Sequence, residues 1–405
     1  MNTPPPRRPL LLDGATGTNL LQQGMPPGAC TETWVLDHPR ALQDLQRAYL
    51  EAGSDLLLAP TFGANRLRLR QQGLSLPVIE LNERLVALTR EAAGSRCLVA
   101  GDISATGEQV EPFGDLPFLE LVDCFAEQAF ALKRAGVDLI VCETMTSLTE
   151  CRAALLAARE TGLPVYVSVT VDDSGRTPQE ADPMAVLITM QGLGASAFGI
   201  NCSDSSQGLE EQFLRLAPQA NIPLLAKPSA GLSPDRVLSP REFARTMERL
   251  LLAGVTIAGG CCQTTPAHIR ELRRLLDSFD FSAVRIERDE HEITAACDAQ
   301  SFSLEEEFEF SDELRCSLDM SDEILEIEDR GEDVLLVRVH TAEDAHFFAL
   351  NAHMARLPVA FVSDSEEALE MALVLYNGRA IIDSMSDLPR EILERLAMGY
   401  GATVI

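Results

Sequence analysis

The sequence predicts an α/β protein that consists of a (β/α)8 TIM barrel and a small acidic C-terminal α/β appendage. Three observations lead to this fold class. Eight short apolar runs recur along the first two thirds of the 405 residues, helical segments lie between them, and the charge composition changes near residue 284. Because 46% of the residues are hydrophobic, the chain can also bury a full-sized core.

Each apolar run is four to six residues long and nearly continuous, which is typical of parallel strands that are buried on both faces. Eight such strands, each followed by a helix, is the number found in the (β/α)8 barrel. The predicted strands are, in chain order, Pro9–Leu12, Asp55–Ala59, Cys97–Ala100, Asp138–Cys142, Pro164–Val169, Ala197–Ile200, Ile222–Ala226 and Val255–Ala258.

Helical periodicity between the strands is clearest over Leu119–Arg134 and Leu148–Glu160. Ala-Gly pairs that end in Gly53, Gly136 and Gly254 come just before strands, and such pairs are typical of helix C-terminal caps. A doubly wound open sheet is the alternative architecture. The barrel is favoured because no Gly-x-Gly-x-x-Gly motif follows the first strand.

The negative charge is concentrated at the end of the chain. Residues 284–405 contain 29 acidic residues against nine arginines, a net charge of −20 out of −29 for the whole chain. We therefore predict a barrel domain over residues 1–283 and an acidic α/β domain over residues 284–405. Within the second domain, strands are predicted at Val334–Val339 and Val359–Val362, and helices at Ser365–Leu375 and Arg390–Met398.

The composition also excludes several classes of partner. An acidic chain with a pI near 4.5 argues against duplex nucleic acid and anionic membranes, which attract clusters of Lys and Arg. The longest apolar stretch, Leu250–Cys262, is about 13 residues long, whereas a membrane span needs ~20. Ten cysteines without regular short spacing are too sparse for a secreted disulfide scaffold. We predict a cytoplasmic protein.

Three cysteines fall at the carboxyl ends of strands, where barrel enzymes place their chemistry. Cys202 follows strand six, and Cys261 and Cys262 follow strand eight. A catalytic zinc site has three protein ligands and an open fourth position, which three thiolates would provide. Since adjacent residues of a regular strand point to opposite faces, the vicinal pair must lie on irregular backbone. The alternative is that these are buried structural cysteines.

Two carboxylates end other strands of the barrel, Asp13 after strand one and Glu143 after strand four. Each could cap a helix or pair with an arginine, or the two could hold a cation near the metal. The loop over residues 14–18 could present backbone amides to an anion. A bound cation and anion together describe an amino acid zwitterion.

Four separated segments resemble the zinc-dependent homocysteine S-methyltransferases, a family that includes the homocysteine-binding domain of cobalamin-dependent methionine synthase and the betaine- and S-methylmethionine-using enzymes. The similarity covers roughly residues 9–277, all of the predicted barrel. The matching segments are Asp13-Gly14-Ala15-Thr16-Gly17-Thr18, Thr61-Phe62-Gly63-Ala64-Asn65, Gly199-Ile200-Asn201-Cys202 and Gly259-Gly260-Cys261-Cys262-Gln263-Thr264-Thr265-Pro266.

The resemblance implies an activity and a role for each site residue. The three cysteines would hold Zn²⁺, and the homocysteine sulfur would take the open position and accept a methyl group, giving methionine. Glu143 and Asp13 would engage the substrate amino group, and the amides of Gly14 and Ala15 would face its carboxylate. Metal coordination deprotonates a thiol that is only about 3% thiolate at pH 7 when free.

The sequence departs from the family pattern at three positions. Ser229 stands where the family commonly has an Asn that approaches the zinc in the absence of substrate, so water can fill that role. Gln179-Glu180-Ala181 replaces a segment that often has glycine, near the face where the donor binds. Gln263 replaces a usual glycine after the cysteine pair.

The methyl donor is left open by the sequence. Ala372–Ile405 weakly resembles part of the pterin-binding barrel of methionine synthase, and no Asp-x-His-x-x-Gly cobalamin motif occurs. These features favour a methylcorrinoid or methylfolate supplied in trans, on a corrinoid protein or another partner, over betaine or S-methylmethionine.

Two alternative functions also stay open. One is methylation of another small thiol, such as selenohomocysteine. The other is a homocysteine-binding subunit with little activity alone, which uses its acidic appendage to dock on a corrinoid or folate methyltransferase partner.

Overall fold

The computed structural model describes residues 9–204, 207–231, 236–289, 293–305 and 307–405. Residues 1–8 of the predicted barrel domain lie outside the described residues. All eight predicted barrel strands are present. They are β1 Leu10–Leu11, β2 Leu56–Leu58, β3 Leu98–Ser104, β4 Leu139–Met145, β5 Val165–Val169, β6 Ala197–Asp204, β7 Leu224–Ser229 and β8 Val255–Ala258.

The eight strands form one parallel sheet that closes on itself. The hydrogen-bonded order is β1-β8-β7-β6-β5-β4-β3-β2, and a bridge between Leu12 and Leu56 joins the two ends of that order. Because each strand lies beside its neighbour in sequence, the architecture is the (β/α)8 barrel, and the doubly wound alternative is excluded. Four of the strands, β3, β4, β6 and β7, extend three or four residues beyond the predicted ends.

Helices cover the outside of the barrel. Their buried faces pack on the sheet. Two of them end at Gly53 and Gly136, which have positive φ angles, and this confirms two of the three predicted caps. The helices are α1 Gly17–Gln22, α2 Thr31–Asp37, α3 Pro39–Ala52, α4 Arg66–Gln71, α5 Val78–Ala93, α6 Phe118–Ala135, α7 Leu148–Arg159, α8 Pro183–Gly192, α9 Gln207–Leu216, α10 Pro240–Leu252 and α11 Pro266–Ser278.

The acidic region forms a second α/β unit with its own apolar core. A hairpin of β9 and β10 precedes a five-stranded parallel sheet whose order, β11-β12-β13-β14-β15, follows the sequence. The predicted strands and helices of this region are all present. The elements are β9 Ile293–Ala296, β10 Ser301–Leu304, β11 Leu314–Arg315, α12 Ser321–Arg330, β12 Leu335–Val339, α13 Ala342–Asn351, β13 Val359–Ser363, α14 Glu366–Leu375, β14 Ile381–Ile382, α15 Arg390–Tyr400 and β15 Thr403–Val404. We propose that the domain boundary lies near residue 283.

The appendage packs tightly against α7 and α8 of the barrel. Arg152 of α7, which has no exposed surface, donates to the carbonyl oxygens of Leu373 and Val374 at the end of α14, at 2.9 and 3.0 Å. Gly192 of α8 and Gly401 lie backbone to backbone, so that a side chain at either position would collide with the other segment. No helix in the described part of the chain has both the length and the hydropathy needed to cross a membrane.

Candidate metal centre

The predicted site residues gather at the carboxyl end of the barrel. Asp13 follows β1, Glu143 lies in β4, Cys202 in β6 and Ser229 at the end of β7. Cys261 and Cys262 follow β8. Glu143 and Ser229 pair with residues of neighbouring strands, and Cys202 lies between two paired residues of β6, so all three are held by the sheet itself rather than by loops.

The three cysteines form a compact thiol cluster. Their sulfur atoms all lie within 4.8 Å of one another, and the Sγ atoms of Cys202 and Cys262 are 3.6 Å apart. Tetrahedral coordination with Zn–S bonds of about 2.3 Å places two ligand sulfurs about 3.8 Å apart. The cluster therefore fits a single tetrahedral metal ion with three protein ligands.

Contacts among the three thiols shift their pKa values in different directions. Contacts with the thiols of Cys202 and Cys261, together with the nearby Ser229 hydroxyl, lower the pKa of Cys262 to about 3. Contacts with Cys261 and Cys262 raise the pKa of Cys202. Three cysteine sulfurs are a donor set that suits a soft or borderline cation.

Irregular backbone brings the vicinal cysteines to one side, as their adjacency predicts. The N–H of Cys261 donates to the carbonyl of Pro228 at 2.9 Å, and the carbonyl of Cys262 accepts the N–H of Ala230 at 2.9 Å. The reversal of the chain comes at Gln263, whose φ is 64°. Glycines 259 and 260 allow close packing, since a Cβ on Gly259 would lie 2.9 Å from Lys227 Cγ.

A buried acidic pocket lies beside the thiol cluster. Asp13 Oδ2 accepts the N–H of Leu58 at 3.0 Å, whereas its Oδ1 is buried and has no hydrogen-bond partner among the described residues. The Oδ1 of Asp102 is also buried, and it too lacks a partner in the part of the chain that the structure describes. Burial raises the pKa of Asp13 to about 7, although the Lys227 ammonium opposes that rise. Two unpaired buried carboxylate oxygens are acceptors for a cationic ligand group.

Glu143 and Lys227 form an ion pair at the centre of this pocket. Only 2% of the Lys227 side chain is exposed, and its Nζ contacts Glu143 Oε2. Burial raises the pKa of Glu143 and the lysine lowers it again. Burial alone would lower the pKa of Lys227, but Glu143 and Asp13 together raise it, which favours the ammonium form in contact with Glu143. Glu143 therefore has a fixed orientation.

The loop after β1 is anchored by three side chains. Thr264 Oγ1 accepts the N–H of Ala15 at 3.0 Å, and Tyr49 and Asn19 donate to the Ala15 carbonyl at 2.8 and 2.7 Å. A Cβ on Gly14 would lie 2.8 Å from both Thr264 Oγ1 and the Tyr49 hydroxyl. Glycine is thus required at position 14 for close approach. The Ala15 amide would have to exchange Thr264 for a ligand carboxylate.

Sequence reasoning did not assign a role to Lys227, Asp102 or Asn201, although all three lie at the predicted strand ends. Each is a polar residue next to an apolar run, and each is buried in the barrel. A polar side chain directly after a parallel strand is the signal that could have identified them, because that position faces the pocket.

Comparison with known proteins identifies the family. The family model described as homocysteine S-methyltransferase matches residues 10–276. The chain belongs to the homocysteine S-methyltransferase family. The resemblance inferred from the sequence motifs is therefore confirmed, and the family match ends close to the last residue of α11.

The chain is similar to two curated relatives and to a solved structure. It is 28% identical to the methionine synthase of Mycobacterium leprae and 29% identical to that of Mycobacterium tuberculosis, in each case over 66% of this chain and 24% of the relative. The chain thus spans about a quarter of the length of these curated relatives. The metallated form of the homocysteine methyltransferase MmuM from Escherichia coli shares the fold, with a TM-score of 0.57 and 24% identity over 66% of this chain and 96% of that one.

Proposed function

We propose that this member of the family is a zinc-dependent S-methyltransferase that moves a methyl group to the thiolate of homocysteine and releases methionine. The observation that carries the proposal is the thiol cluster of Cys202, Cys261 and Cys262, with its sulfurs within 4.8 Å, next to a buried acidic pocket. The family match and the methionine synthase relatives support the choice of substrate.

The two ends of the substrate would be bound by separate groups. Zinc held by the three cysteines would bind the substrate sulfur as a thiolate and keep it nucleophilic. Asp13 and Glu143 would hold the ammonium, since Asp13 Oδ1 has no partner within the described ranges and Glu143 is oriented by Lys227. The loop of Gly14 and Ala15 would take the carboxylate. Ser229, fully buried at the end of β7, would border the metal.

Metal analysis and one cysteine substitution test the proposal. Purified protein should contain about one zinc per chain, as a catalytic site with three protein ligands requires. Cys261→Ser should lose both the zinc and the methylation of homocysteine. Cys97→Ser is the matched control, because Cys97 precedes β3 at the opposite end of the barrel and should retain both. Zinc-free wild-type protein that still methylates homocysteine would contradict the proposal.

The donor is best identified by direct comparison. Betaine, S-methylmethionine, methylfolate and a methylated corrinoid protein should be assayed with the same zinc-loaded protein. We propose that a donor delivered in trans gives the highest turnover. Homocysteine binding without turnover with any of the four donors would instead favour a binding subunit that needs a partner. Tighter calorimetric binding of selenohomocysteine or another thiol would change the assigned substrate.

A further inference from the structure

Asn201 connects the two strand ends that carry Glu143 and Cys202. It is fully buried, and its Oδ1 accepts the backbone N–H of Thr144 at 2.8 Å and the hydroxyl of Ser168 at 2.9 Å. Its Nδ2 donates to Thr144 Oγ1 at 2.7 Å. Because a backbone N–H can only donate, the orientation of the Asn201 amide is fixed. The side chain therefore spans β5 and joins β6 to β4.

Both strand ends are bulged where Asn201 joins them. Glu143 and Thr144 of β4 together oppose the single residue Ser168 of β5. Two residues of β6, beginning with Cys202, together oppose Pro228 of β7. Bulges of this two-against-one kind change the direction in which a side chain points, and they are common beside active sites. Here they direct Glu143 and Cys202.

The bulges also hold backbone in the left-handed region. The φ angles of Thr144 and Cys202 are 57° and 53°. That conformation is rare for any residue with a Cβ and is an outlier for a β-branched residue such as threonine. It persists only where the surroundings supply enough interactions to hold it. At Thr144 those interactions are the two hydrogen bonds with Asn201.

We propose that Asn201 is a positioning residue that locks the two bulges together and so fixes the separation between the Glu143 carboxylate and the Cys202 thiol. The inference rests on the proposed function, in which these two groups bind opposite ends of one substrate. A fixed separation then selects thiols whose ammonium lies at the right distance from the sulfur. Asn201 touches neither end of the substrate and acts through the backbone.

The test measures selectivity for the amino group. Zinc-loaded protein is titrated calorimetrically with homocysteine and with 4-mercaptobutanoate, which has the same chain without the amino group. Wild-type protein should bind homocysteine more tightly. Asn201→Ala should reduce that preference by about tenfold or more, since a hydrogen bond to a charged group depends on alignment.

Asn82→Ala is the matched control. Asn82 is also fully buried, and its side chain donates to two carbonyl oxygens, those of Ala64 and Val78, each at 2.8 Å. It lies on α5, away from the thiol cluster. The same substitution there should lower the unfolding temperature to a similar extent and leave the ratio of the two affinities unchanged.

Thr144→Gly changes the other partner of the Asn201–Thr144 hydrogen bonds. It provides a second test in case Asn201→Ala does not fold. Glycine accepts a positive φ without strain, so this variant should fold and show a reduced preference of its own. Adding Asn201→Ala to it should then reduce the preference by less than it does in wild-type protein. Fully additive effects would overturn the inference.

The outcomes separate this inference from the proposed function. If wild-type protein does not prefer homocysteine over the thiol without an amino group, the proposed function fails and this inference fails with it. If wild-type protein shows the preference and Asn201→Ala shows it equally, the inference alone is overturned.

Discussion

Glu180 and Gln263, which stand where the sequence departs from the family pattern, have strained backbone conformations. The resemblance indicated glycine as the usual residue near Glu180 and at Gln263, and both residues have φ near 64°. Glycine adopts this conformation freely, whereas a residue with a Cβ pays roughly 1–2 kcal/mol. A glycine at either position would therefore relieve this strain.

Glu180→Gly should stabilise the protein by up to about 1 kcal/mol. This net gain is the backbone strain that is relieved minus the entropy that glycine adds to the unfolded chain. The measurement is the free energy of unfolding in urea. Glu180→Ala removes the same side chain but keeps the strain, so it should give no gain. Equal stabilisation by both variants would show that the side chain, and not the backbone, is responsible.

Asp13 should make homocysteine binding depend on pH. Burial raises the pKa of its carboxyl to about 7, and only the ionised form attracts an ammonium. Affinity should therefore increase as the pH rises from about 6 to 8. Asp13→Asn should weaken binding by about tenfold or more and flatten this dependence, as measured by calorimetry. Parallel pH profiles for the two proteins would rule out this role for Asp13.

At the scale of elements, the predicted strands ended too early. The apolar pattern of β4 stops at Cys142 and that of β6 at Ile200, yet pairing continues to Met145 and Asp204. Hydrophobic periodicity reports which side chains are buried in apolar surroundings, whereas a strand is defined by its backbone hydrogen bonds. The polar residues that end the pattern, Glu143 among them, are those that line the site.

The first turn of α11 is held by a buried histidine. His268 Nδ1 accepts the N–H of Thr265 at 3.1 Å, so its Nε2 carries the proton that it donates to the carbonyl of Leu238, 2.9 Å away. Burial lowers the pKa of His268, while the hydrogen bond to Leu238 opposes this. The histidine thus ties the segment after the cysteine pair to the loop that precedes α10.

Stability should fall in acid because of His268. Its pKa in the folded state lies below the ordinary value of about 6.5, so the unfolded chain binds the proton more readily. The stabilisation is complete above about pH 6.5 and is lost as the pH falls towards the folded-state pKa. Thermal unfolding between about pH 8 and pH 5 should show a smaller decline for His268→Gln than for wild-type protein. An identical decline would assign the acid sensitivity to other groups.

For the whole molecule, the appendage and the barrel share several polar contacts. The side chain of Asn377 donates to the Thr149 hydroxyl at 2.6 Å, and Arg159 donates to the carbonyl of Gly399 at 2.5 Å. Arg152 is buried completely between the two units. Removal of residues 284–405 would therefore expose an interface of the barrel, so loss of activity in such a truncation would not by itself show that the appendage docks a partner.

Arg152→Ala should lower the free energy of unfolding by about 3 kcal/mol, because two carbonyl oxygens lose charge-assisted hydrogen bonds inside the interface. Arg159→Ala is the control: its side chain is partly exposed and makes one such bond to the appendage, so the loss should be about 1 kcal/mol. Both values come from urea unfolding. Equal losses would mean that burial at the interface contributes nothing extra.

The sequence by itself determined the barrel, because eight apolar runs with intervening helices are compatible with few other folds. The residues at the predicted strand ends also indicated the site, namely Cys202, Cys261, Cys262, Asp13 and Glu143. Which of these residues meet was decided only by the tertiary structure. The closeness of the sulfurs, the pairing of Glu143 with Lys227 and the link through Asn201 all join strands that are far apart in the chain. Such contacts depend on the register of the closed sheet and on bulges, and neither leaves a periodic signal in the sequence.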